Sequence, residues 1–508
     1  MIKFFLLSLI ILTSSSWAKK TGELLPEGKS EKLKDEFIKH TEKPFAYQPT
    51  DGIFWDELTQ FEKKSEYVKM AEFALDQVRR FGEASDEGKE ALLAFALALH
   101  HMRLFSASYH INEKLAVEKN GTFIGAFALK LISEADMADR VDRVRLESLI
   151  NNNEFSGLHP EIQSFVSFYK YFYNLKFNYK KWAQINLDKV KEATFWRYKI
   201  IYLEALGQIA RNHLAKGKQI LLSLIKLEEV PAEIKTRANI QLARLSFEEG
   251  KLEDAFNIYS TIGRITNREK GRIELERAWT QYYLKNYSKA LGILTALKTP
   301  FYSRSITPER YVLEMVIYKE LCHYGAVEKA AQKFKKVFGP SLSRIKKRKP
   351  LRDDPILFSM AIVDRPLEVQ ANVVHFIRLE QERLIDLGFD YEGMEQIYAS
   401  LKNHEKGIRE RIDFQLEEKA REAANELLDI EEQISFIEYI SRLDALKILE
   451  EKQEDFYRPE RISHVKFNKI YWPWTGEFWI DEVDKYQTLI SSRCENESNG
   501  KEGEVNFE

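Results

Sequence analysis

The sequence predicts an all-α protein, on three observations. Glycine and proline are scarce, 22 and 13 in 508 residues, whereas strand- and turn-rich folds use both heavily. Apolar residues recur at helical spacing through most of the chain, in segments broken at polar or Gly/Pro positions. Several of those segments also repeat one another at near-constant spacing. Composition narrows the function classes. A 44% hydrophobic share excludes global disorder. Lys+Arg 77 against Asp+Glu 79, a net of −2, gives no footprint for nucleic acid. Two cysteines exclude a disulfide framework and a multi-cysteine zinc module.

The N-terminus predicts export. Lys3 precedes the apolar run Phe4–Leu12, and Ser16 and Ala18, on either side of Trp17, offer small residues around a cut after Ala18. This is the layout of a secretory signal peptide over 1–18. The run is shorter than the roughly 20 apolar residues that span a bilayer. The short signal and the paucity of cysteine favour a periplasmic address, and no later segment reaches membrane-spanning length. Residues 19–50, with Pro26, Pro44 and Pro49, read as a flexible leader.

Residues 51–340 read as a helical solenoid. Leu242–Tyr259 matches the segment around Ala278–Leu291: Ala243 and Ala278 are 35 residues apart, as are Ala255 and Ala290. A third copy runs from Tyr324 through Ala330, Ala331 and Phe334, with its Ala330 40 residues past Ala290. Fainter copies lie at Asn178–Trp182 and Arg103–Tyr109. A small residue early in each helix of a pair lets the two approach closely. This pattern resembles the tetratricopeptide repeat (TPR), well over 234–340, fairly over 160–233 and only architecturally over 55–160. Arg277 and Gln281 depart from it, standing where that family buries apolar groups. The resemblance implies that the first helix of each pair lines a groove for an extended peptide or partner helix. The implied lining is Arg237, Arg244, Arg272, Trp279, Tyr282, Tyr283, Lys319 and His323, a mix of types that suits interface anchors.

The pattern fails over 341–366, which reads as a basic, proline-punctuated linker. Lys333–Arg352 holds nine basic residues and no acid. Its run Arg344, Lys346, Lys347, Arg348 and Lys349 is a basic patch, read as a solvated loop, a contact with an anionic surface, or a contact with the chain's own acidic helices. Over 367–457 long acidic helices return. Ile408, Ile412, Leu416, Ala420, Ala423, Leu427, Ile430, Ile434 and Ile437 step by four or three, a coiled-coil-like seam. With Val369–Leu387 as partner, this predicts a hairpin of long helices. Glu405–Asp455 carries 16 acids against 8 bases.

Residues 458–494 form an aromatic closing segment with Trp472, Trp474 and Trp479, read either as a structural plug or as a sugar- or partner-binding site. It resembles the end of large envelope repeat proteins from predatory and gliding bacteria. The tail 495–508 is polar and reads as disordered. Cys322 reads as a small buried group in a repeat helix, and its pairing with Cys494 is left to the fold.

No catalytic motif emerges. Gly-x-Ser-x-Gly, Gly-x-Gly-x-x-Gly, phosphate-loop and His-Glu-x-x-His patterns are missing, as is the Gly-Leu-Met-Gln stretch that follows a Glu-Ser pair in lytic transglycosylases; Glu147-Ser148 and Glu497-Ser498 occur without it. The expectation is therefore an exported, non-enzymatic scaffold with a protein or peptide partner in the envelope, and with no cofactor, metal, nucleic acid or membrane span. The alternative is a cell-wall-associated enzyme or glycan binder with an unrecognised site.

Overall fold

The computed structural model describes residues 52–262, 267–302, 307–362, 365–451 and 486–494. The expected signal peptide, leader, Trp472, Trp474, Trp479 and tail lie outside them. The described residues are helical, without a strand. In order the helices are α1 (Gly52–Lys63), α2 (Tyr67–Phe81), α3 (Asp86–His101), α4 (Phe105–Glu118), α5 (Phe123–Met137), α6 (Arg143–Asn152), α7 (Pro160–Lys176), α8 (Lys180–Asp188), α9 (Phe195–Ala210) and α10 (Leu214–Lys226). They continue as α11 (Ala232–Glu248), α12 (Leu252–Ser260), α13 (Asn267–Tyr283), α14 (Tyr287–Ala296), α15 (Glu309–Glu320), α16 (Tyr324–Lys346), α17 (Pro355–Ala361), α18 (Arg365–Leu387) and α19 (Met394–Glu451).

One backbone device recurs. Ser65, Arg103, Asp139, Asn178, Asn212, Gly250, Lys285 and Cys322 are all left-handed, with φ between 54° and 74°. They follow one another at intervals of 34 to 39 residues. After each, the next amide donates to the carbonyl five residues back at 2.8–2.9 Å, as Leu104 does to Leu99 and Asn286 to Gln281. This bond satisfies a terminal carbonyl and reverses the chain. In seven cases the next helix starts two residues after the left-handed one, with no side-chain cap. The intervening helices α3, α5 and α9 instead begin with a Ser or Thr cap, at Ser85, Thr122 and Thr194. Ala243, Ala278, Ala255 and Ala290 have no exposed surface.

The chain divides into two compact units. The first holds the described residues of Met1–Leu245, Ile262–Arg264 and Asp364–Gln415. Its centre is α3, where Ala91–Leu99 is buried without interruption. Trp55 lies inside α1, and its indole donates to Glu90 at 2.6 Å. Val369, Val373, Ile377 and Leu384 of α18 join this unit's core, as do Ile397, Leu401 and Ile408 of α19. Arg378 donates to Glu405 at 2.7 Å.

The second unit holds the described residues of Ser246–Thr261, Ile265–Val363 and Leu416–Glu508. Here the later part of the seam finds a different partner from the one expected, whereas Ile408 and Ile412 share the first unit's core with Val369, Val373 and Ile377. Ala423, Leu427, Ile430 and Ile434 share a core with Tyr311, Met315, Val327, Phe334, Phe338 and Leu357, from α15, α16 and α17. The expected linker over 341–366 differs as well. α16 continues through Pro340 to Lys346, and α17 follows. Proline removes an amide and crowds the preceding turn. Pro340 is exposed, while Phe338, Ser341 and Leu342 are buried on the opposite side and hold the helix in register.

Candidate functional site

The predicted groove residues are divided between the units. Arg237 and Arg244 fall in the first and the other six in the second. Arg237 is half-buried, 3.6 Å from Glu233 one turn earlier on its own helix, and Arg244 is also half-buried. In the second unit α13 presents an aromatic cluster. Trp279 and Tyr282 lie 5.7 Å apart between ring centres, Trp279 and Tyr283 6.0 Å, and Tyr283 and Phe247 5.5 Å. Tyr283 is exposed, while Trp279 and Tyr282 are half-buried against the core. Gln281 is buried, and Arg277 is paired with Glu274 at 2.7 Å. Those two departures from the repeat pattern are therefore absorbed by polar contacts and burial, not by exposure.

Part of this face is occupied by the chain itself. Lys319 at the end of α15 lies 3.5 Å from Asp444 of α19. Glu309 opens α15 close to Arg272 and to Glu426 of α19. Burial, and then the Glu426 carboxylate, push Glu309 up to about 7, with Trp279 and, less, Arg272 opposing. The acidic stretch of α19 also engages the basic region. Lys335 donates to Glu438 at 2.6 Å and Lys346 to Glu431 at 2.7 Å; one pair of the opposite sense, Arg442 of α19 with Glu328 of α16, lies at 3.5 Å. Of the predicted basic patch, Arg344 and Lys346 lie in the last turn of α16, where positive charge suits the helix dipole. Arg344 donates to the Pro350 carbonyl at 3.1 Å. Lys347, Arg348 and Lys349 are exposed.

A second self-contact was not legible in the sequence. Residues 486–494 form an irregular strap over α14 and the turn before α16. The Thr488 amide donates to the Ser288 carbonyl at 3.1 Å, and the Ser288 hydroxyl donates to the Thr488 carbonyl at 2.7 Å. The Arg493 amide donates to Leu321 at 2.9 Å, and His323 Nε2 lies 2.7 Å from the Ser491 carbonyl. Tyr486 and Ile490 pack on the core of α13–α15. Gly292 makes the approach possible, since a Cβ there would stand 1.8 Å from the Tyr486 carbonyl. Cys322 and Cys494 are disulfide-bonded, with Cα atoms 5.1 Å apart. Cys322 thus sits in a left-handed turn, not inside a helix as the sequence suggested.

In the first unit, Asp142 caps α6 through the Val144 amide at 3.2 Å. It also meets His404 Nε2 at 3.1 Å and Arg411 at 2.5 Å. Burial works against its charge, but the contacts with His404 and Arg411 hold its carboxyl below the ordinary range. The adjacent histidines face carboxylates, His100 at 3.3 Å from Glu134 and His101 at 3.1 Å from Glu62. A small cleft of about 50 Å³ is lined by Glu83, Lys89, His110, Glu118 and Tyr391 among others. Its acids are engaged: Glu118 pairs with Lys89 at 2.6 Å, and Glu83 hydrogen-bonds Tyr391. Among the described residues, no group of three or more His, Cys, Asp or Glu is placed to hold a metal ion. None of the described helices is long and apolar enough to cross a membrane.

No protein-family model matches the sequence, and no curated protein is significantly similar to it.

Proposed function

We propose that the protein is an exported, TPR-like repeat scaffold that binds protein partners in the cell envelope and performs no catalysis of its own. The observation that carries this reading is the left-handed turn repeated at 34- to 39-residue intervals from Ser65 to Cys322. Such a series describes eight helix pairs built to one plan, and stacked helix pairs are used as extended binding surfaces. The long helices α18 and α19 are read as the coiled-coil-like hairpin. Its distal seam closes on the last repeat pair, and Lys319 and Arg272 face that helix instead of a free groove. The exposed Tyr283, backed by Trp279 and Phe247, is then the anchor left to a partner.

Export is supported by the N-terminal pattern and by the Cys322–Cys494 bond, because disulfides persist in oxidising compartments. The engaged acids of the first unit's cleft weigh against the enzymatic alternative. The test is a pull-down from envelope extract with the chain beginning at Lys19, beside a Tyr283→Ala chain. A protein retained by the first and lost by the second supports the reading. Equal retention by both removes the anchor, and turnover of a cell-wall substrate would overturn the scaffold assignment.

A further inference from the structure

Aromatic residues on α7 divide into two populations. Phe165, Phe168 and Tyr169 turn into the first unit's core around Trp196, with Phe165 and Phe168 each 5.0 Å from its rings. The last turn and the start of α8 do the opposite. Lys176, Phe177, Asn178, Tyr179, Lys180, Lys181 and Trp182 are seven consecutive exposed residues. Trp182 is 61% exposed, Tyr179 54%, Phe177 49% and Tyr173 42%. Three of these rings form a row, with Tyr173 4.8 Å from Phe177 and Phe177 6.3 Å from Tyr179. Core packing does not require them, since the buried side of α8 is Ala183 and Asn186. Isolated exposed apolar groups are ordinary, but a contiguous ring cluster marks a contact surface.

The charges around the rings say which surface. Over 170–191 there are six lysines and one acid, Asp188. Lys170 is paired with Glu154 at 2.6 Å, and Lys176 lies in the field of Glu147. Lys180 and Lys181 are exposed and have no ion-pair partner among the described residues. Lysine is depleted at protein–protein interfaces. Tyr and Trp beside Lys instead match the headgroup layer of a bilayer, where rings sit at the boundary and ammonium groups reach anionic lipid.

We propose that the α7–α8 turn is a peripheral docking site for an anionic lipid surface, with Phe177, Tyr179 and Trp182 entering the headgroup layer and Lys180 and Lys181 pairing with lipid phosphates. Shallow insertion of rings plus electrostatic attraction is enough for reversible binding without a spanning helix.

The test is cosedimentation of the mature, oxidised full chain with vesicles of equimolar phosphatidylglycerol and phosphatidylcholine, and with phosphatidylcholine alone. Binding to the first, weak binding to the second, and a blue shift of tryptophan emission lost in Trp182→Ser are expected. Lys180→Gln with Lys181→Gln should lower partitioning about fivefold per lysine and reduce its salt dependence. Tyr179→Ser with Trp182→Ser should weaken binding at every salt concentration. All four side chains are exposed, so helical circular dichroism should not change in either variant. Failure to bind the anionic vesicles, or equal binding by wild type and the aromatic variant, overturns the proposal. Retention on dextran sulfate without vesicle binding would also overturn it and assign the lysines to an anionic polymer.

Discussion

Glu380 of α18 accepts the Ser106 amide at 2.8 Å and so caps a helix that begins 275 residues earlier in the chain. The Ala107 amide, at 3.2 Å, and the Ser106 hydroxyl complete the set. α4 has no cap of its own, because Leu104 stands at that position. The contact locks α18 to the start of α4, beside the Arg140 guanidinium stacked over Phe376. Ionised acceptors at a helix N-terminus are favourable, yet full burial outweighs them and pushes Glu380 up to about 7.

The pH dependence of that cap follows. A carboxyl whose folded-state pKa is raised contributes stability that is fully present below its unfolded value near 4.5 and is lost as pH rises through about 7. Glu380→Gln keeps an acceptor but cannot ionise, so the difference in melting temperature between wild type and variant should shift in favour of the variant across that window. Glu380→Ala leaves the amides unsatisfied and should cost about 1–3 kcal/mol. Thermal unfolding across that pH range checks both. A wild-type–Gln difference that does not vary with pH would remove the titration argument.

The strap over 486–494 should depend on two separate features. Reduction, or Cys494→Ser, should speed exchange of the Thr488 and Arg493 amides and admit proteases to the segment. Losing a native disulfide typically costs about 2–5 kcal/mol. Gly292→Ala should loosen the Tyr486 end with the disulfide intact, because the added methyl collides with a backbone carbonyl. Hydrogen exchange resolved by peptide separates the two. Unchanged protection in both variants would show that the strap is held by other contacts.

The attachment of α19 within the second unit should resist salt. Its ion pairs, Lys335–Glu438 and Lys346–Glu431 among them, involve exposed lysines, and such pairs contribute about 0–1 kcal/mol each. Leu427 and Ile434 have no exposed surface, and burying such a side chain stabilises by about 1.5–3 kcal/mol. Leu427→Ala is therefore expected to cost about 2–5 kcal/mol. Lys346→Gln should cost little, and high salt should leave amide protection of 423–434 in place. Loss of that protection in salt would show that charge holds the helix.

Much of the helical character was readable, and the reason is local. Helical periodicity and buried alanines such as Ala243, Ala255, Ala278 and Ala290 record their environment in the sequence. The repeated turn was mostly hidden, because the left-handed position is filled by Ser, Arg, Asp, Asn, Gly, Lys and Cys. Only one of the eight is the glycine that announces such a turn. Pro340 misled in the other direction, since an exposed proline can ride on a helix held by its buried side. Contacts such as Glu380–Ser106, Asp142–Arg411 and Cys322–Cys494 join residues far apart in the chain. No local pattern encodes them.

The aromatic pair on α13 gives the last prediction, and it separates a binding role from a packing role. Trp279 is half-buried and packs on the core that contains Ala278, Leu294 and Tyr302. Tyr283 lies 6.0 Å from Trp279 between ring centres, nearly parallel to it, and is 54% exposed. Removing a large, partly buried ring leaves a void and forfeits its contacts, so Trp279→Ala should cost about 2–4 kcal/mol and lower the melting temperature. Tyr283→Ala loses only exposed ring contacts and should change stability by less than about 1 kcal/mol. Partner retention should show the opposite ranking once the Trp279 variant is held below its melting point, with Tyr283 the more damaging loss. Thermal unfolding and retention, measured on the same two proteins, decide the matter. If Tyr283→Ala unfolds the second unit, the residue is core and α13 presents another face. If both variants keep stability and retention, neither ring is an anchor.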